Sequence, residues 1–115
     1  MTPVQRRQMK VVADLIKRQL EAAELAHSAC LSRLADARAL RESKRTEKAG
    51  LAFAPDLGTG AGPFLERRRS GLTYEAAALG AVIERLVKER EARRKEISRL
   101  LRQKCMVDAL SADVA

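Results

Sequence analysis

Large rings are nearly missing from this 115-residue chain, which has two Phe, one Tyr and no Trp. Aromatic side chains supply much of the buried area in thick globular cores, so Phe53, Phe64 and Tyr74 cannot organise one. Cysteine is scarce too. Cys30 and Cys105 lie far apart with no C-x-x-C spacing, which argues against a disulfide framework or a zinc site; both are expected to be small buried apolar residues in a reducing compartment. No stretch of about 18 apolar residues occurs, and Met1–Gln8 lacks the apolar core of a signal peptide. A chain without membrane insertion, placed in the cytosol, is therefore expected. Alternating apolar and polar runs, the mark of half-buried strands, are absent.

Catalytic and cofactor signatures are missing as well. There is no G-x-x-x-x-G-K-[ST], G-x-G-x-x-G or H-E-x-x-H. Gly58-Thr59-Gly60-Ala61-Gly62 looks like a phosphate cradle only superficially, because it has no preceding strand and no lysine. His27 is the one histidine, and no second acid, base or nucleophile forms a plausible constellation with it. No cofactor, no metal and no enzymatic activity are expected.

What remains is rich in Ala, Leu, Arg, Glu and Lys, with 33% charged residues, the mixture of long solvent-washed helices. Thr2-Pro3-Val4-Gln5 reads as a helix start: Thr2 caps, Pro3 fits the first turn, and Gln5 completes a capping box. No Gly or Pro follows until Gly50. A seam runs through Ile16, Leu20, Ala23, His27, Cys30, Leu34 and Ala37 at alternating spacings of four and three, with Val12, Leu31 and Leu40 widening it. The first helix is placed at 3–48, roughly 65 Å at about 1.5 Å per residue.

Gly and Pro then break the pattern, giving a flexible connector at 49–72 with a short helical turn at 63–69 that closes at Gly71. Thr73 is expected to cap a second helix over 74–110. Its stripe is Leu79, Ile83, Leu86, Ile97, Leu100 or Leu101, and Val107. Between Lys88 and Glu96 no large apolar side chain occurs, and the segment reads as solvated helix or as a polar contact surface. Pairs such as Glu89 with Arg93 and Glu91 with Lys95 support it. The fold class is thus all-α, a single domain formed by a long antiparallel two-helix coiled-coil hairpin with a Gly/Pro-containing connecting segment. One two-helix seam is a thin core for so many ordered residues. The hairpin is therefore expected to gain stability from self-association or from a partner.

Net charge is +8. It leans to the first helix: +5 over residues 1–48 (eleven basic, six acidic), +1 over 49–71 (three, two) and +2 over 72–115 (nine, seven). This suits an acidic partner without choosing its class. Arg67, Arg68 and Arg69 are a candidate docking patch for an acidic protein surface. Nucleic acid is disfavoured, since acidic residues interleave throughout and stacking rings are few.

A short basic chain folded as one antiparallel coiled coil resembles the flagellar and type III secretion export stalk family (the FliJ/YscO-like proteins). The resemblance covers most of the chain and rests on architecture, composition and periodicity. It implies a non-enzymatic stalk or adaptor that acts at the inner face of the membrane through its partners. Those partners are the hexameric export ATPase ring, the cytoplasmic domain of the export gate and, in a further role, export chaperones. It also implies a gate-binding face of apolar, apolar, small or apolar, then basic residues at i, i+4, i+7 and i+11, for which this chain offers Leu79, Ile83, Leu86 and Arg90. The stalk end would be the paired termini, near Met9–Lys17 and Arg102–Leu110. The competing readings are a small basic helical nucleic-acid-binding protein and a helical export chaperone.

Overall fold

The computed structural model describes residues 2–52 and 61–112, and within them the chain is two α-helices without a strand, an all-α helical hairpin: α1, Pro3–Ala52, and α2, Ala61–Ala112. The start of α1 is the capping box read from the sequence. Gln5 N–H donates to Thr2 Oγ1 at 3.2 Å, and Thr2 N–H donates to Gln5 Oε1 at 2.9 Å. The Arg6 N–H closes the first turn on the Thr2 carbonyl at 3.0 Å.

Both helices are longer than the sequence reading. Residues 49–52 and 61–72, assigned there to a flexible connector with a single helical turn at 63–69, are helical throughout; the remainder of that connector, 53–60, lies outside the described residues. Three facts explain the difference. Pro63 sits in the first turn of α2, where its missing N–H would have no intrahelical partner anyway. Gly71 lies in mid-helix, where it costs only about 1 kcal/mol against alanine. The adjacent Leu72 is completely buried and outweighs that. Thr73 consequently caps nothing: it lies inside α2, and its hydroxyl donates back to the Arg69 carbonyl at 3.0 Å.

The helices build two compact units. The first joins Met1–Cys30 to Glu89–Ala115, and the second is Leu31–Lys88. In the first, Leu20, Ala23 and Leu100 form a buried cluster with Ile97 packed against it; Ile16 and Cys30 are buried on the same α1 stripe. In the second, Leu34, Leu72, Ile83 and Leu86 are buried, and charged contacts tie the helices together at the connector end. The expected α1 seam is present: its seven named residues are all buried or half-buried. On α2, Leu100 is inside and Leu101 outside.

Four residues expected to be covered are not. Val12, Leu31 and Leu40 are 43%, 41% and 49% exposed. Each lies one to three residues off the four–three stripe, so helical rotation carries it away from the partner helix. Cys105 is also exposed, whereas Cys30 is fully buried. Cys105 lies one position past the stripe that includes Leu100 and Val107.

Candidate protein-docking surfaces

The residues assigned to the gate-binding face lie on the α2 seam. Ile83 and Leu86 are buried at 7% and 8% exposure, and Leu79 and Arg90 are half-buried. Their spacing of four, three and four is what the hairpin itself requires. In this fold the two buried side chains cover the second unit and are not offered to a partner.

The three consecutive arginines are separated by their one-residue steps around α2. Arg68 reaches across to α1 and donates to Glu47 Oε1 from Nη2 at 2.7 Å and from Nε at 3.1 Å. Its guanidinium is held more firmly protonated than usual, first by the hydrogen bond and then by the charge of Glu47. Arg69 donates from Nη2 to the Leu51 carbonyl at 2.8 Å and approaches Glu66 at 3.7 Å. That bond meets one of the carbonyls left open at the C-terminal end of α1. Arg67 donates to the Pro63 carbonyl, at 3.5 Å, with no other hydrogen-bond partner among the described residues, and remains exposed. Of the trio, Arg68 and Arg69 hold the hairpin together and Arg67 is available to a partner.

Lys44 and Glu75 pair at 3.1 Å, and Glu75 stands 4.0 Å from Arg68. Glu47, Arg68, Glu75 and Lys44 therefore alternate in sign across the two helices. Glu75 Oε2 has no partner in hydrogen-bonding geometry; its contact with Lys44 is an ion pair set by distance.

Against protein-family models, characterised proteins and solved structures, the chain finds no match.

Two surface features were not read from the sequence. In the second unit, Arg38, Arg41, Arg45 and Lys48 recur at three, four and three residues, which places them along one side of α1. Arg38, Arg45 and Lys48 are exposed and Arg41 is half-buried, and none has a carboxylate partner among the described residues. In the first unit, Val4, Val11, Leu15 and Leu25 are 62%, 66%, 54% and 73% exposed. They lie two residues past the buried stripe, about 200° round the helix, and so form an apolar line on the side facing away from α2. The signal was present as a second four–three series, Val11, Leu15, Ala22, Leu25 and Ala29. Counting apolar residues for a single seam conceals it.

Among the described residues, no group of three or more His, Cys, Asp or Glu is placed to hold a metal ion. A small cleft of about 150 Å³ in the first unit is bounded by Asp14, Lys17, Lys104 and Asp108 above Ala13, Ile16 and Val107. Its two carboxylates and two ammonium groups offer no nucleophile–base pair. His27 sits on the α1 seam, half-buried, with Nε2 lacking a hydrogen-bond partner. No helix among the described residues is long and apolar enough to cross a membrane.

Proposed function

We propose that this chain is a non-enzymatic coiled-coil stalk or adaptor of a flagellar or type III protein-export apparatus, working at the inner face of the membrane through the export ATPase ring and the export gate. The observation that carries the adaptor reading is the row Arg38, Arg41, Arg45 and Lys48. Its cations recur at helical spacing on one side of a helix already fixed by its seam, and no carboxylate of the described residues neutralises them. Such a row suits an acidic, elongated partner surface, and desolvation on docking would strengthen each contact. Arg67 is a further exposed cation of the same unit, on α2. The export assignment rests on the resemblance of the basic hairpin to the stalk family.

The burial of Ile83 and Leu86 changes what the gate contact could be. A gate domain meeting the second unit would meet the half-buried Leu79 and not the buried apolar pair. The experiment is a pull-down of the purified chain with the export ATPase hexamer and, separately, with the gate cytoplasmic domain. Retention expected for the wild type should fall in Arg38→Glu/Arg45→Glu/Lys48→Glu while circular dichroism is unchanged. Failure to retain either protein would remove the export reading. Retardation of DNA or RNA that weakens steeply with salt would favour the nucleic-acid reading of the same row.

A further inference from the structure

The exposed apolar line on α1 is built to meet itself. We propose that the outer face of α1 between Val4 and Ala22 is the docking surface for a second copy of this chain, arranged antiparallel. This inference does not depend on the export reading, because it uses only residues of the first unit.

The line consists of Val4, Gln8, Val11, Leu15, Arg18 and Ala22, spaced four, three, four, three and four, and every one is exposed. In an antiparallel coiled coil each layer pairs one residue from either spacing class, so the register fixes which meets which. When Val11 stands opposite Leu15 of the second copy, the neighbouring layers put Gln8 opposite Arg18 and Val4 opposite Ala22. Apolar residues then meet apolar ones, and polar residues meet polar ones, in all six layers.

The flanks agree. On one side Arg7 stands beside Glu21 of the other copy, twice by symmetry; neither residue has an ion-pair partner among the described residues. On the other side Val12, left 43% exposed by its own hairpin, meets Val12 of the second copy, and Gln5 meets Gln19. Opposite charges at these flanking positions set orientation and register in coiled coils. One like-charge meeting remains, Asp14 with Asp14. It is surrounded on its own helix by Lys10, Lys17 and Arg18, four before and three and four after, which offset it.

Other arrangements match less well. Sliding by one heptad puts Leu15 opposite Arg18 and Gln8 opposite Leu25, mixing apolar with charged or polar layers. Sliding by two pairs Leu15 with Leu25 but sets Glu21 against Glu21. A parallel pairing stacks Arg18 on Arg18 in one layer. Each is penalised by a buried charge or by a repulsion that the proposed register avoids. An isologous contact of this kind closes after two subunits and leaves no free end to propagate.

Two measurements on the full chain test the proposal. Sedimentation equilibrium should give a mass moving from 12.7 kDa toward twice that value as concentration rises. Leu15→Glu should hold the protein at the lower mass while helicity by circular dichroism is kept. Arg7→Glu and Glu21→Arg should each weaken the dimer about tenfold, and the double reversal should restore it. Orientation is read by oxidising a mixture of Arg7→Cys and Glu21→Cys chains, each also carrying Cys105→Ser. Links between positions 7 and 21 are expected. Links of 7 to 7 and 21 to 21 would overturn the antiparallel register, and a monomeric mass at all concentrations would overturn the interface.

Discussion

Lys44 Nζ lies 3.1 Å from Glu75 Oε2, joining the two helices at residues thirty-one apart in sequence. Their side chains are 26% and 40% exposed, so solvent screens the pair and its coupling is modest. A double-mutant cycle on Lys44→Ala and Glu75→Ala should give about 0.2–1 kcal/mol, falling when salt is raised to 1 M. The cycle isolates the pair because each deletion leaves Arg68 bonded to Glu47. A coupling that ignores salt would mean the two side chains interact by packing and not by charge.

Gly71 and Gly80 lie inside α2, and a Cβ built at either meets nothing within 4 Å. Both can therefore become alanine without a clash, and the gain is the backbone entropy glycine loses on folding. Gly71→Ala and Gly80→Ala should each stabilise by about 0.5–1 kcal/mol in urea unfolding. The sum should be additive, since nine residues separate the sites. A loss at Gly71 would show that the segment around it needs to bend.

The same glycine shows where the fold was legible in the sequence and where it was not. The α1 seam and its capping box could be read directly, because Thr2, Gln5 and the four–three spacing are local signals that the tertiary structure only reinforces. The start of α2 was hidden because Gly62, Pro63 and Gly71 are local breakers whose effect is small in a first turn or beside a well-buried neighbour. Leu72 decides the matter, and its burial is a long-range fact. The charged stretch after Lys88 was read as a gap for a related reason. Arg90 and Arg93 occupy seam positions with their long stems, which charge counting treats as solvent. Of the site, the arginine trio was visible as a cluster, but only the cross-helix partners Glu47 and Leu51 reveal that two of the three are structural.

Leu72 is 0% exposed and Leu100 is 1% exposed; they anchor different units of the hairpin. Truncating either should leave a cavity that the two packed helices cannot readily collapse. Leu72→Ala and Leu100→Ala should each lose about 2–5 kcal/mol, whereas Leu101→Ala, at 43% exposure, should lose under about 1 kcal/mol. Hydrogen exchange adds the location. In Leu72→Ala, amides of 61–72 should exchange faster, which would be missing if residue 72 were a passive surface position.

Arg99 donates to Glu96 through Nη2 at 2.6 Å and Nε at 3.0 Å. The hydrogen bond, with the arginine charge behind it, holds the Glu96 carboxyl below its ordinary range against a smaller opposing effect of burial. A depressed folded-state value means stability that is present above the unfolded carboxylate pKa and disappears as pH falls through the folded one. Glu96→Gln should thus remove a small part of the acid-side loss of stability and leave the profile above neutrality parallel to wild type. The two curves are compared by thermal melts from pH 2 to 8, and identical acid limbs would mean the pair contributes nothing in solution.

Two unmet polar groups on the seam of the first unit argue against stability. His27 and Arg90 occupy seam positions, and the buried Nε2 of one and Nε of the other have no hydrogen-bond partner. A buried donor or acceptor left unmet costs about 1–3 kcal/mol, and an apolar residue at the same position would remove that cost while filling the seam. Arg90→Leu should therefore raise stability by about 1 kcal/mol, and His27→Leu/Arg90→Leu by more than either change alone. Arg94→Leu is the control: it removes the same charge from an exposed position and should change stability by less than about 0.5 kcal/mol. Equal gains from Arg90→Leu and Arg94→Leu would assign the effect to net charge. A loss at Arg90 would mean that its guanidinium makes contacts worth more than the unmet nitrogen costs.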